Sequence, residues 1–144
     1  MVSSALGISP EQIIYDDRLR EFNFGDLSGR TVEKPKDTFW EWKNSHGYED
    51  KIPGGESYFD AKNRLASLLY ELENTLKGEK VLIVGHGIAF ESIEVLVRGL
   101  RGEAALDALN SVIDSVANAE VREIDFAPLP HNEHYELDLH RPNL

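Results

Sequence analysis

The chain has 144 residues and a formal net charge of −11, and 41% of its residues are hydrophobic. This composition is typical of one globular domain spanning residues 1–144, and the negative charge disfavours nucleic-acid binding. The sequence lacks cysteine, a signal peptide and any apolar run of the roughly 18 residues that a membrane helix needs. We therefore expect a cytoplasmic protein with neither nucleic acid nor membrane as a partner.

Strand-like and helix-like segments alternate along the first half of the chain. Residues 5–9 resemble the end of a helix, and residues 13–15 a short strand. A structured loop is predicted at 19–29 and a short, aromatic-rich helix at 38–44. The clearest helix is predicted at 57–77, because a serine N-cap precedes apolar residues that recur every three or four positions.

The second half opens with the strongest strand pattern. The Val-Leu-Ile-Val run at 81–84 predicts a buried central strand. Helices are expected at 88–100 and 103–109, and two strands at 119–126 and 134–139. Alternation of this kind is typical of an α/β fold.

His86 and Gly87 follow the predicted central strand and precede a helix. Ligands of open α/β sheets bind at the carboxyl ends of strands, and a helix N-terminus offers backbone donors to an anion. A histidine at this position can donate a hydrogen bond or exchange a proton near neutral pH. The alternative interpretation is a structural histidine in a tight turn.

Glu21 lies among apolar residues of the loop at 19–29. Such surroundings favour a raised pKa and a role as proton donor, whereas the alternative is a solvated loop glutamate. Arg64, two helical turns after Ser57, is expected to be a surface or salt-bridging residue. The aromatic residues Trp40 and Trp42 form either part of the core or a lid over a pocket.

Two other chemistries receive little support. The spacing of His131 and His134 does not bring both side chains to one face, so no metal site is predicted there or with His140. A serine nucleophile such as Ser57 or Ser92 is disfavoured, because the sequence contains no Gly-x-Ser-x-Gly elbow.

Four motifs in order, over about residues 5–126, resemble the histidine phosphatase superfamily, the phosphoglycerate mutase-like phosphatases. They are the Leu-x-Glu segment at 19–29, the Pro-Gly-Gly-Glu-Ser segment at 53–57 with Arg64 after it, the strand ending in His86 and Gly87, and the Asn-Ala-Glu-Val segment at 118–121.

This resemblance implies a phosphoglycerate mutase-like central mixed sheet flanked by helices. It implies phosphomonoester hydrolysis or phosphoryl transfer through a phosphohistidine, without metal or cofactor, on a small phosphorylated substrate or phosphate. His86 then contacts the transferring phosphoryl group, and Glu21 protonates the leaving oxygen. Gly87, Trp40 and Trp42 are expected to bind substrate.

The family's nucleophile lies in an Arg-His-Gly triplet, which does not occur in this sequence. We therefore expect a domain that is incomplete at its N-terminus, inactive alone, and completed by exchange of elements in a homodimer. The alternative is a non-catalytic binding or self-association module of the same fold.

Overall fold

The computed structural model describes residues 2–29, 39–76, 78–112 and 119–123. Within these ranges the chain forms five α-helices, which are α1 (Val2–Ala5), α2 (Phe39–Ser45), α3 (Tyr58–Thr75), α4 (Gly87–Val97) and α5 (Gly102–Val112). Three single 3₁₀ turns lie at Pro10–Gln12, Asp17–Leu19 and Gly25–Leu27. The helices predicted at 38–44, 57–77, 88–100 and 103–109 are confirmed, with ends shifted by one to three residues.

Helix α3 begins as its sequence predicts. The hydroxyl of Ser57 accepts the backbone N–H of Asp60, whose carboxylate accepts the N–H of Ser57, at 3.0 Å each. This reciprocal pair forms a capping box that satisfies two donors of the first turn. Helix α3 is the longest helix of the described residues, and it packs along α4.

Two apolar clusters form the core, and α3 contributes to both. The first gathers around the start of α3 and includes Phe22, Ile52, Tyr58, Val95 and Leu109. The second lies further along α3 and α4 and includes Leu65, Leu69, Ala89, Ile93 and Leu96. The central helix pair α3–α4 therefore holds α5 and the loop at 19–29 in place.

The predicted α/β architecture with a central mixed sheet is wrong for the described residues, which contain no β-strand. Residues 81–84 belong to no helix or strand, and Val81, Leu82 and Val84 expose 47%, 51% and 70% of their surface. Among the described residues, no backbone hydrogen bond pairs this segment with another segment. An apolar run indicates a tendency to be buried, whereas a strand also needs neighbouring strands.

The other predicted strands have two outcomes. Residues 13–15 form no strand within the described residues, and Ile14 and Tyr15 are strongly exposed. Residues 119–123 form no strand, and the remainder of the strand predicted at 119–126 lies outside the described residues, as does the one at 134–139. Across the described ranges, no helix is long and apolar enough to cross a membrane.

Candidate active site

His86 is the N-cap residue of α4, and Gly87 is the first residue of that helix. The imidazole is exposed and does not cap the helix, so the first turn of α4 has no equivalent of the Ser57 capping box. A Cβ built on Gly87 would meet no atom within 4 Å among the described residues. The space in front of the α4 N-terminus is therefore open on the side that Gly87 faces.

Glu21 lies in the loop that follows the Asp17–Leu19 turn, and it is half-buried. Its Oε1 accepts the backbone N–H of Phe22 at 2.8 Å. Phe22 itself is buried in the first apolar cluster, where its ring lies 5.2 Å from that of Tyr58. The aromatic neighbour thus fixes the backbone from which the carboxylate projects.

Arg64 and Glu56 hold this loop from the α3 side. The guanidinium of Arg64 donates from Nε and Nη2 to the two carboxylate oxygens of Glu56, at 3.0 and 2.8 Å. The same guanidinium donates to the carbonyls of Arg18 at 2.6 Å and Glu21 at 3.4 Å. The prediction that Arg64 is a salt-bridging residue is confirmed, although the pair is nearly buried rather than solvated.

Glu56 continues this network to the residue after Phe22. Its Oε1 accepts the backbone N–H of Asn23 at 2.8 Å, and its own N–H donates to the Asn23 carbonyl at 3.1 Å. The carboxylate therefore bonds both the arginine and the loop. Together, Glu56 and Arg64 fix the backbone on either side of Glu21.

The Glu21 loop and the His86 segment are in contact. A Cβ built on Gly85 would lie 3.7 Å from the carbonyl oxygen of Leu19 and 3.3 Å from the ring of Phe90. The residue preceding His86 therefore packs against the residue two positions before Glu21. The two segments that sequence reasoning singled out are brought to the same region of the molecule.

A second close approach joins the loop to the Pro-Gly-Gly turn. Gly25 has a φ of +47°, and a Cβ there would lie 2.2 Å from the carbonyl oxygen of Pro53. A Cβ on Gly55 would lie 2.4 Å from the carbonyl oxygen of Asn23. Backbone meets backbone at this point, so the glycines are required by the contact itself.

The two tryptophans of the candidate site belong to α2. Trp40 is its second residue, and the Trp42 ring stacks on Phe39 at 6.4 Å and on His46 at 4.7 Å. Phe39 packs in turn on Phe22, the residue after Glu21, with 5.9 Å between the ring centres. The aromatic helix therefore borders the first apolar cluster, and its role in substrate binding stays a prediction.

The arginines near Glu21 are engaged by carboxylates. Arg18 bonds Asp16 and Glu71, and its hydrogen bonds to Asp16 lower the pKa of that carboxyl. Arg20 is half-exposed, with Nη2 lying 3.7 Å from Glu56. Among the described residues, these arginines near Glu21 therefore balance acidic side chains of the protein itself.

Sequence reasoning missed a buried polar cluster next to this site. Glu91 on α4 and Lys43 on α2 expose only 3% and 4% of their surface. Burial raises the pKa of Glu91 to about 7, and it also raises that of the Tyr58 hydroxyl, which faces the Glu91 charge. Charged residues on helices usually face solvent, so nothing in the pattern separates these two from their exposed neighbours.

The histidines considered for metal binding, at positions 131, 134 and 140, lie outside the described residues. Within the ranges that are described, no three His, Asp or Glu side chains form a group that could hold a metal ion.

Residues 2–137 match the sequence profile of the histidine phosphatase superfamily, branch 1. The chain therefore belongs to this superfamily, as its motif order predicts. It is 34% identical over 114 residues to the 2,3-bisphosphoglycerate-dependent phosphoglycerate mutase of Sinorhizobium fredii, covering 74% of this chain and 53% of that protein. It is 33% identical over 96 residues to the probable phosphoglycerate mutase GpmB of Shigella boydii serotype 18, covering 65% of this chain and 45% of the relative. The chain thus spans about half the length of these curated relatives.

Proposed function

We propose that the chain supplies the His86 and Glu21 half of a phosphoryl-transfer site for a small phosphorylated substrate. The observation that carries this proposal is the arrangement around Glu21. Arg64 bonds the carbonyls of Arg18 and Glu21, and Gly85 packs against Leu19, so the acidic loop lies beside the open N-terminus of α4.

Each group has a definite task in this proposal. The phosphoryl oxygens accept hydrogen bonds from the His86 ring and from backbone N–H groups in the first turn of α4. Glu21, in its protonated form, gives its proton to the leaving oxygen as the phosphorus–oxygen bond breaks. The reaction uses no metal, and phosphoglycerate is the first substrate to examine because the named relatives are phosphoglycerate mutases.

The nucleophile is not among these 144 residues, because they contain no Arg-His-Gly triplet. We propose that the chain alone binds phosphate weakly and does not turn over a phosphomonoester. Its net charge of −11 and its carboxylate-paired arginines both weaken anion binding.

The test is a titration of the ¹⁵N-labelled chain with inorganic phosphate and with 3-phosphoglycerate, in the presence of EDTA. We expect shifts of the Gly87 and Ile88 amides that are lost in His86→Ala and kept in the control His46→Ala. Glu21→Gln should keep these shifts, because Glu21 acts on the leaving oxygen in this proposal and does not bind the phosphoryl oxygens.

Two results would overturn the proposal. Amide shifts confined to a region away from α4 would place the anion elsewhere. Turnover of an aryl phosphate by the chain alone, abolished in His86→Ala, would show that it supplies its own nucleophile.

A second candidate function is self-association without catalysis. It is supported by the exposure of Val81, Leu82 and Val84 in a segment that has no backbone hydrogen-bond partner among the described residues. Sedimentation equilibrium of the chain and of Val84→Lys decides between the two functions. A dimer that Val84→Lys dissociates, without any phosphate-dependent amide shift, would favour association.

A further inference from the structure

Glu91 is a buried acid with an unsatisfied oxygen. Among the described residues its Oε2 has no hydrogen-bond partner, and neither does the hydroxyl of Tyr58, which is also buried. An unpaired buried polar atom is costly, so such atoms usually mark a site of function or of stored instability. Neither group is used in the phosphoryl chemistry proposed above.

Lys43 of α2 is the charge that most favours ionisation of this acid. Its ammonium donates to the carbonyl of Leu109 at 3.4 Å and lies 6.0 Å from the centre of the Tyr58 ring. The Leu109 carbonyl is one of the last four of α5, where the helix dipole favours a cation. Lys43 is therefore held at the C-terminal end of α5 by a long hydrogen bond.

Titratable groups of five segments act on Glu91 or respond to its charge. They are Lys43 from α2, Tyr58 from α3, Glu21 from the loop, Glu94 from α4 itself and Arg122 from the segment at 119–123. Lys43 and Arg122 favour the ionised carboxylate, whereas Glu21 and Glu94 oppose it. Burial opposes it most strongly.

We propose that proton uptake and release by Glu91 controls how α2 packs on α3, α4 and α5. With Glu91 neutral, the ammonium of Lys43 stays on the Leu109 carbonyl. When Glu91 loses its proton, the buried carboxylate attracts Lys43 away from α5 and carries α2 with it. A seven-residue helix has little stability of its own, so its position depends on such contacts.

The switch operates in the neutral range, because the Glu91 carboxyl has a pKa of about 7. Its functional meaning rests on the proposed function together with the prediction that Trp40 and Trp42 of α2 bind the substrate. Acidic conditions would then keep α2 packed as described, and mildly alkaline conditions would move it.

The chain offers a direct reporter of α2. Its two tryptophans are both in this helix, so intrinsic tryptophan fluorescence reports on α2 alone. The His46 ring stacks on Trp42, so the measurement is made in a His46→Gln background. No phosphate is added, and failure of the phosphate titration therefore leaves the result unaffected.

Fluorescence is recorded from pH 5 to 9. We expect a sigmoidal change with a midpoint near pH 7, lost in Glu91→Gln. Lys43→Met should abolish the change as well, because it removes the ammonium through which Glu91 moves α2. The control Glu103→Gln, at an exposed position in the first turn of α5, should leave the curve unchanged.

A fluorescence change that persists in Glu91→Gln or in Lys43→Met would overturn the proposal. If Glu91→Gln fails to fold, ¹³C-carboxyl NMR of the parent chain replaces it. The Glu91 resonance must then titrate together with the tryptophan signal, and separate midpoints would equally contradict the switch.

Discussion

At the scale of single residues, Arg64 forms an ion pair and in addition bonds the backbone of a neighbouring loop. It bonds both oxygens of Glu56 and also two backbone carbonyls of the loop that carries Glu21. Only 10% of its side chain and 8% of that of Glu56 are exposed. Removing one member would leave a buried charge unpaired, which is the costly way to break such a pair.

We expect Arg64→Gln to lower the free energy of unfolding by about 3–5 kcal/mol. Urea denaturation followed by far-ultraviolet circular dichroism measures this loss. The matched control is Lys51→Gln, which breaks the exposed pair with Asp60 and should cost about 0–1 kcal/mol. Equal losses in the two variants would show that burial of the Arg64 pair contributes nothing.

Lys62 is also a buried charged residue, and its contribution to the stability of the fold depends on pH. Burial lowers its pKa from 10.5 to about 8, and the charge of Arg101 adds to this effect. Between pH 8 and 10.5 the unfolded chain therefore binds more protons at this lysine than the folded chain does. Stability from this group rises with pH over that interval.

We expect the original chain to gain stability relative to Lys62→Met from pH 8 to 9.5, by at most about 1.4 kcal/mol per pH unit. The difference between the two proteins levels off as the pH approaches the unfolded-state pKa of 10.5. Urea unfolding at several pH values tests the slope. Lys51→Met should keep the rise, and a parallel curve for Lys62→Met would contradict the assignment.

At the scale of elements, the loop and the Pro-Gly-Gly turn depend on glycine for two separable reasons. Gly25 and Gly29 both have positive φ, at 47° and 71°. Only Gly25 is also crowded, because a Cβ there would lie 2.2 Å from the Pro53 carbonyl oxygen, whereas one on Gly29 meets no atom within 4 Å among the described residues.

We therefore expect Gly25→Ala to destabilise the chain by about 1–3 kcal/mol more than Gly29→Ala, this difference being the cost of steric overlap. Thermal unfolding of the two variants measures it directly. Equal losses would mean that the backbone around Pro53 moves aside without cost.

Helices and strands differed in how far sequence could predict them. Helix α3 is specified locally, by Ser57 and Asp60 at its start and by apolar residues three or four apart. Residues 81–84 have strand propensity, but pairing depends on segments distant in the chain, and the described residues supply none. Local signals were therefore sufficient for α3 and insufficient for the sheet.

At the scale of the whole molecule, we expect backbone amides to be protected from hydrogen exchange mainly in the helix pair α3–α4. Leu65, Leu69 and Ile93 are buried in the second cluster, whereas the backbone at 81–85 makes no backbone hydrogen bond within the described residues. Hydrogen exchange of the monomeric chain should show slow amides in α3 and α4 and fast amides at 81–85. Comparable protection in both regions would indicate that residues 81–85 are paired after all.

In the candidate site, too, features encoded by short sequence motifs could be predicted, whereas features that depend on tertiary packing could not. The motif order identified the segments of Glu21 and His86, and the structure places these segments in contact through Gly85 and Leu19. Lys43 and Glu91 could not be predicted, because their burial results from α2, α3, α4 and α5 meeting in space. A polar residue buried by tertiary packing leaves no periodic signal.

The bond between Glu56 and Arg64 also sets where this chain tolerates a change of length. Glu56 precedes α3, and Arg64 lies two turns into it, so the helical register between them must be kept. One inserted residue between 58 and 63 would rotate Arg64 by about 100° away from its partners. Beyond Leu72 the same insertion would displace only residues 74–76, which are exposed and lie at and just after the end of α3. Insertions should therefore be accepted at the far end of this helix and rejected at its beginning.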